Sequence, residues 1–441
     1  MRKMKDSGIE WIGEIPEDWE VKPIKSLFSF GKGLPITKDN LIENGSSVIS
    51  YGQIHSKNNI GVQIVDDLKR FVSETYLDTN PNSLVHKGDF IFADTSEDLE
   101  GCGNFVYVDK EEILFAGYHT IILFSKQNIN NKYLAYLFKT DAWRCQIRGL
   151  CSGVKLFSIS KKILGQTRII LPMVHEQQRI VDFLDRKCSE IDSVISKTRE
   201  TIEEYKKLKQ SIITEVVTGK VKIENGKVCG KYDTYKDSGI EWIGEIPSEW
   251  DCFYLSQIFS PVKNKNIGMQ ETNLLSLSYG KIIRKNIETT FGLLPENFEG
   301  YNIIERDNIV LRLTDLQNDH KSLRVGLVTE KGIITSAYLT LKNKTNMSSN
   351  YFYYLLHSFD IAKGFYGMGA GVRQGLNWNE IRSLRIISPK ESFDQQQISD
   401  FLDKKCSEFD KLITKKEQLV VELESYKKSL IYEVVTGKRE V

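Results

Sequence analysis

The sequence predicts an α+β chain: two globular domains joined by two long helices that pair as an antiparallel coiled coil, with pseudo-two-fold symmetry. Three observations carry this. The segment Lys5–Pro16 (KDSGIEWIGEIP) recurs letter for letter at Lys236–Pro247. The stretch Asp182–Asp192 returns at Asp400–Asp410 with only Arg186 and Ile191 changed, to Lys404 and Phe409. Both copies of that stretch lead into Glu-Val-Val-Thr-Gly-Lys, at Glu215–Lys220 and Glu433–Lys438. A period this long is a duplicated domain rather than a short-repeat solenoid.

The helices follow from pattern. From His175 to Val217 there is no Pro or Gly, and an apolar stripe runs Leu184, Cys188, Ile191, Ile195, Thr198, Ile202, Tyr205, Ile212, Val216. Its counterpart is Leu402, Cys406, Phe409, Ile413, Lys416, Val420, Leu423, Leu430, Val434. Steps of three and four over several heptads are a coiled-coil seam, and Gly219 and Gly437 supply the stops. A helix of about 42 residues spans roughly 60 Å and, with one apolar face, needs a partner. Domain termini usually lie close together, so the second helix runs back along the first.

The chain therefore divides into a first globular domain (1–172), a first long helix (173–220), a linker (221–235), a second globular domain (236–389) and a second long helix (390–441). The globules share landmarks more than continuous identity. Ser50-Tyr51-Gly52 answers to Ser278-Tyr279-Gly280, Gly88–Ile91 to Arg306–Ile309, Tyr133–Leu137 to Tyr351–Leu355, and Ser152–Lys155 to Ala370–Arg373. Alternating runs at Phe105–Val108, Ile121–Phe124, Arg324–Val328 and Tyr338–Leu341 read as strands, with one short helix near Lys132–Arg148 or Asn350–Lys363.

Composition bounds the rest. At 441 residues, 40% hydrophobic and 27% charged, the chain has room for two to four cores. No apolar run approaches the ~18 residues of a membrane span, and the Met-Arg-Lys-Met-Lys start lacks a signal peptide's apolar stretch, so the cytoplasm is the expected compartment. Seven cysteines show no Cys-x-x-Cys pair; neither disulfides nor a metal is expected, and Cys188 and Cys406 read as buried thiols. A formal charge of +1 means that any nucleic acid is bound through local patches or with basic partners.

Catalytic patterns are missing. There is no Pro-Pro pair, no Gly-x-x-x-x-Gly-Lys-Ser/Thr and no His-Glu-x-x-His. Phe365–Gly371 is glycine-rich but follows a helical segment, so it reads as a flexible loop. Glu17, Asp18 and Glu20 are too close together for a nuclease metal motif. No catalytic residue is assigned.

Together these features resemble the specificity (S) subunit of type I DNA restriction–modification enzymes, over essentially the whole chain. The resemblance rests on Gly8–Pro16 and its copy, on Glu176-Gln177-Gln178-Arg179-Ile180-Val181-Asp182-Phe183-Leu184-Asp185, and on the variant Asp394-Gln395-Gln396-Gln397-Ile398-Ser399-Asp400-Phe401-Leu402-Asp403. Inside the globules, Phe92–Asp98, Ala116–Thr120, Arg312–Asp319 and Gly332–Tyr338 look like strings that recur in such subunits. The resemblance implies two target-recognition domains, each reading one half of a bipartite, asymmetric site in double-stranded DNA. It implies helices that dock two methyltransferase subunits, and motor–nuclease subunits that complete the complex. S-adenosylmethionine, ATP and magnesium would be bound by those partners, with no cofactor in this chain.

Base readout calls for Arg or Lys at guanine and Asn or Gln at adenine. The candidates are Lys32, Thr37, Gln53, Lys57 and Lys155 in the first globule, and Lys263, Lys281, Arg284, Arg312, Arg324, Arg373 and Gln374 in the second. For the coiled coil and partner docking they are Leu184, Ile191, Ile195, Ile202, Leu402, Phe409, Ile413, Val420 and Leu423. Trp11, Trp19, Trp242 and Trp250 are either core aromatics or docking contacts. The alternative function is a non-catalytic coiled-coil adaptor presenting two protein-binding domains.

Overall fold

Duplication at the level of residues becomes duplication at the level of contacts. The computed structural model describes residues 2–126, 129–153, 155–286, 297–319, 322–366, 368 and 375–441. They form two units, Met1–Lys197 with Leu419–Val441, and Thr198–Gln418. Each unit thus takes one globular segment and a part of each long helix.

In the first unit, Met4–Asp6 pairs antiparallel with Glu14–Pro16. Gly8 and Gly13, at φ +67° and +70°, make the turn between them, in a conformation that residues with a Cβ rarely adopt. Ile9, Ile12, Ile15 and Trp19 are buried beneath it. A four-stranded antiparallel sheet then runs in the order Phe105–Tyr107, Phe90–Ala93, Thr120–Ser125, Phe28–Lys32. Strand alternation explains why all of Phe90–Ala93 is buried: successive residues serve opposite cores. Phe90 and Phe92 pack on Phe138 and Trp143, whereas Ile91 and Ala93 join Val85, Leu114 and Ile122. A second sheet, Arg70–Val72, Ser46–Ile49, Leu114–Ala116 and Leu84–Val85, contains one parallel pairing. The single short helix expected near Lys132–Arg148 is two, Asn131–Lys139 and Asp141–Arg148. Extended Thr140 breaks them and caps the second through its hydroxyl on the Trp143 N–H.

The second unit repeats the frame. Its head pairs Tyr235–Asp237 with Glu245–Pro247, and its sheet runs Val325–Leu327, Ile309–Leu311, Leu339–Asn343, Phe259–Pro261 in the corresponding order. The place of the other sheet is taken by two short ladders, Leu275–Ser278 with Lys281–Arg284 and Asn302–Ile304 with Gly332–Ile334. The segment expected as a linker holds a hairpin, Lys222–Glu224 with Lys227–Gly230, around Asn225-Gly226 at φ +51° and +71°. That Asn-Gly pair is the strongest short-range hairpin signal there is, and the linker reading overlooked it.

The long helices span Val174–Val217 and Ser392–Val435. Each ends in a Schellman motif: Gly219 N–H donates to Val216 O and Lys220 N–H to Glu215 O, and Gly437 and Lys438 do the same to Val434 and Glu433. On the apolar stripe, Leu184, Ile191, Ile195 and Ile202 are buried on the first helix, Leu402, Ile413 and Val420 are buried on the second, and Phe409 and Leu423 are half-buried. Pairing within each unit is antiparallel. In the first, Tyr133 donates to both Ile170 O and Val435 O, while further along Asp192 meets Lys427. In the second, Tyr351 donates to Ile387 O and Val217 O, while Lys209 meets Asp410.

The Gln of the Glu/Asp-Gln-Gln motif has a structural reason. Gln177 is buried; it donates to Pro172 O and accepts from the Asn130 N–H, tying the helix start to the globule. Gln395 does the same between Pro389 O and the Ser348 N–H. All seven cysteines are free thiols. Among the described residues, no helix is long and apolar enough to cross a membrane.

Candidate nucleic-acid interface

In each unit the strand at the heart of the antiparallel sheet runs out into a loop rich in polar groups, and an arginine holds that loop. In the second unit the strand Ile309–Leu311 leads into 312–319. Leu313 and Leu316 plug the loop into the core. Between them Asp315 turns the chain at φ +57°. Arg324 is fully buried beneath the loop. Its guanidinium donates to the carbonyls of Arg312, Thr314, Asp315 and Asp319 and to the Tyr366 hydroxyl. The Tyr366 ring lies 5.0 Å below. The planar five-donor fork suits Arg to holding several backbone acceptors at once. Asp360 accepts from the Arg324 N–H at 2.7 Å; burial raises its pKa, and the nearby arginine opposes that shift. With those groups turned inward, Thr314, Gln317 and Asn318 stand on the exposed side of the loop.

The first unit solves the same problem from another element. The strand Phe90–Ala93 runs into 94–104, and Arg144, on the helix Asp141–Arg148, donates to Glu100 O, Cys102 O and the Asn104 side chain. Burial, with Arg148 close by, pushes Arg144 down to about 10, so it stays charged at neutral pH. His55 bridges Thr95 O and Asn104, and Arg148 adds a bond to Glu100 O. This loop overlooks an open depression of about 720 Å3, lined by Tyr51, His55, Glu97, Asp98, Arg144, Arg148 and Lys428 among others.

The sequence candidates sort cleanly. Lys32, Lys57, Lys155 and Lys263 are exposed. Thr37 is also exposed, but it caps the turn at Lys38–Asn40. The Gln53 carbonyl is committed to the Ser50 N–H. Lys281 lies 3.4 Å from Asp410, and Arg284 forms a forked pair with Glu330. Arg312 is half-buried and 3.3 Å from Asp319. Arg324 is a correction: with no exposed surface and its donors spent on loop carbonyls, it shapes the loop rather than touching a ligand. Arg373, Gln374 and most of the glycine-rich segment lie outside the described residues. Sequence reasoning missed Gln317 and Asn318 as individuals, although the loop containing them was marked.

Among the tryptophans, Trp19 and Trp250 are core residues at 1% exposure. Trp19 donates to Glu176, which Arg2 also grips. Trp242 leans on Phe359 at 5.3 Å, whereas Trp11 stands 44% exposed.

Comparison with known proteins bears on this arrangement. Residues 16–204 match the type I restriction modification DNA specificity domain. The chain is 27% identical over 218 residues to the MjaVIII type I restriction enzyme specificity subunit of Methanocaldococcus jannaschii, covering 48% of this chain and 49% of that one. It is 22% identical to the MjaIX specificity subunit of the same organism over 98% of this chain and 95% of that one. A chain from a solved structure describing complex assembly and conformational transition of the type I R-M system superposes with a TM-score of 0.68 at 14% identity. That likeness covers 96% of this chain and 99% of the other, and speaks to the fold alone. With its frame repeated in both halves, the chain is similar along its length to the specificity subunits of type I restriction–modification systems.

Proposed function

We propose that each unit of this DNA-recognition subunit reads one half of a bipartite, asymmetric target, and that the repeated frame docks two methyltransferase subunits. The observation that carries this is the contrast between what is repeated and what is not. Lys5, Asp6, Glu10 and Glu14 are exposed, as are their copies Lys236, Asp237, Glu241 and Glu245, so no core demands them, and yet they return unchanged. A surface kept identical in both units suits one kind of partner bound twice. The helices support the same reading: Val194 and Leu412, and likewise Leu208 and Tyr426, are apolar, exposed off the seam, and matched 218 positions apart. The arginine-held loops differ between the units in sequence and in the element that anchors them, which suits two different half-sites.

Exposed amides and hydroxyls at Thr314, Gln317 and Asn318 supply base-edge chemistry. A near-neutral subunit leaves much of the phosphate neutralisation to partners. S-adenosylmethionine for methylation, and ATP and magnesium for cleavage, are assigned to the methyltransferase and motor–nuclease subunits. The test is a map of adenine methylation in the host genome with the gene intact and deleted. Loss of one split, asymmetric motif on deletion is the expected result. An unchanged map in a host that makes active partners would overturn the reading in favour of a protein-binding adaptor.

A further inference from the structure

Two turns of this chain share one backbone shape and carry different residues. Asn225-Gly226 and Tyr279-Gly280 each join two strands with both residues at positive φ, the type I′ geometry that matches the strands' twist. Asn tolerates the first position through its short polar side chain; a bulky aromatic does not. Tyr279 nevertheless holds φ +46°, and it is 79% exposed. It is unfavourable twice over, once in backbone sterics and once in apolar surface given to water. Local strain of this kind persists where function uses it.

The setting says what that use is. The hairpin Leu275–Ser278 with Lys281–Arg284 turns Leu277 and Ile282 inward onto the sheet, since a Cβ on Gly326 would meet both. Ser276, Ser278, Lys281 and Ile283 share the other face. Its tip sits beside the segment that carries the buried arginine: a Cβ on Gly280 would come 3.1 Å from Leu323, which precedes Arg324. Lys281 stands beside the tip, within reach of Asp410, and Arg284, paired with Glu330, and Lys285 stand at the far end of the ribbon. A two-stranded ribbon fits a DNA groove, its outer face here carrying two serines and Lys281, and a ring at its tip can wedge into a base step and stack on the base it uncovers.

We propose that the Leu275–Arg284 hairpin is a β-ribbon laid against duplex DNA and that Tyr279 wedges its ring into a base step of the half-site read by the second unit, stacking on the base it uncovers. Tyr51, at the matching place in the first unit, opens a half-buried helical turn instead, so the device belongs to the second unit alone. This deepens the proposed function and rests on it.

The experiment measures binding by the full chain in complex with its methyltransferase subunits. The probes are a duplex bearing the motif from the methylation map and one with the second unit's half-site scrambled. Tyr279→Ala and Tyr279→Asn should each weaken binding to the intact motif roughly tenfold or more, as loss of one stacked base predicts. Tyr279→Phe should bind within about twofold of wild type, because the ring and not the hydroxyl makes the contact. Tyr279→Asn should melt no lower than wild type, since Asn suits the turn. Wild-type affinity in Tyr279→Ala would overturn the inference, and so would loss of binding in Tyr279→Phe or a lower melting temperature in Tyr279→Asn. Equal wild-type affinity for both duplexes would instead sink the functional reading beneath it.

Discussion

Asp192 and Lys427 lie 235 positions apart in sequence and meet at 2.6 Å in the first unit. The same pair recurs in the second as Asp410 and Lys209, also at 2.6 Å, each residue displaced by 218 positions from its counterpart. One contact made twice, with acid and base exchanged between the helices, is what an antiparallel pairing of two copies of one helix requires.

Because Lys427 is mostly buried and Asp192 half-exposed, the pair is a modest contributor to stability and a strong one to register. A double-mutant cycle on Asp192→Asn and Lys427→Met should return a coupling of about 0.5–1 kcal/mol. Asp192→Lys should be more damaging than Asp192→Asn, and Lys427→Glu should restore part of that loss. A coupling of zero in urea unfolding would mean that the seam alone sets the register.

The stops at Gly219 and Gly437 combine a left-handed backbone with close packing. A Cβ at Gly219 would stand 2.3 Å from Pro247, and one at Gly437 would stand 2.4 Å from Pro16. Gly226 has a similar φ and open space around it, and so isolates the backbone effect. Gly226→Ala should cost about 1 kcal/mol. Gly219→Ala and Gly437→Ala should each cost more than about 2 kcal/mol, the excess being the displacement of the head from the helix end. Denaturant melts of the three variants decide the matter.

His357, on the helix Ser349–Ile361, is buried beside Tyr353, and its Nδ1 has no hydrogen-bond partner. Burial, with Lys209 nearby, pushes it down to about 4. The unfolded chain takes up this proton near pH 6.5 and the folded chain only near 4, so folding loses stability as pH falls through that window. The loss should reach about 3 kcal/mol by pH 4. His357→Leu should flatten that part of the stability profile, measured by thermal melts from pH 7.5 to pH 4. An unchanged slope would mean that other groups carry the acid sensitivity.

Arg324 should be irreplaceable by lysine. A single ammonium cannot span the carbonyls of Arg312, Thr314, Asp315 and Asp319, and it would be buried with fewer acceptors. Arg324→Lys should cost about 3 kcal/mol and raise hydrogen exchange in 312–319 above that in the strand Ile309–Leu311. If exchange there stays at the wild-type level, the arginine is packed beneath the loop without holding it.

What the sequence by itself determined is the frame. A repeat of identical letters, a seam at steps of three and four and a glycine at each helix end are local patterns, and local sterics and periodicity convert them directly into the heads, the long helices and their Schellman stops. Gln177 and Gln395 could be marked as part of a motif, but their hydrogen bonds to both flanks of the globule were visible only in the fold. Tertiary structure alone decided which loop residues face outward. Arg312 and Arg324 are equal candidates on paper; the fold gathers four loop carbonyls around Arg324 and leaves Arg312 at the rim. It also set Tyr279 at the tip of a type I′ turn, against the preference of its own backbone. A side chain's availability depends on which acceptors and which walls distant segments bring to it, and that information is spread along the whole chain.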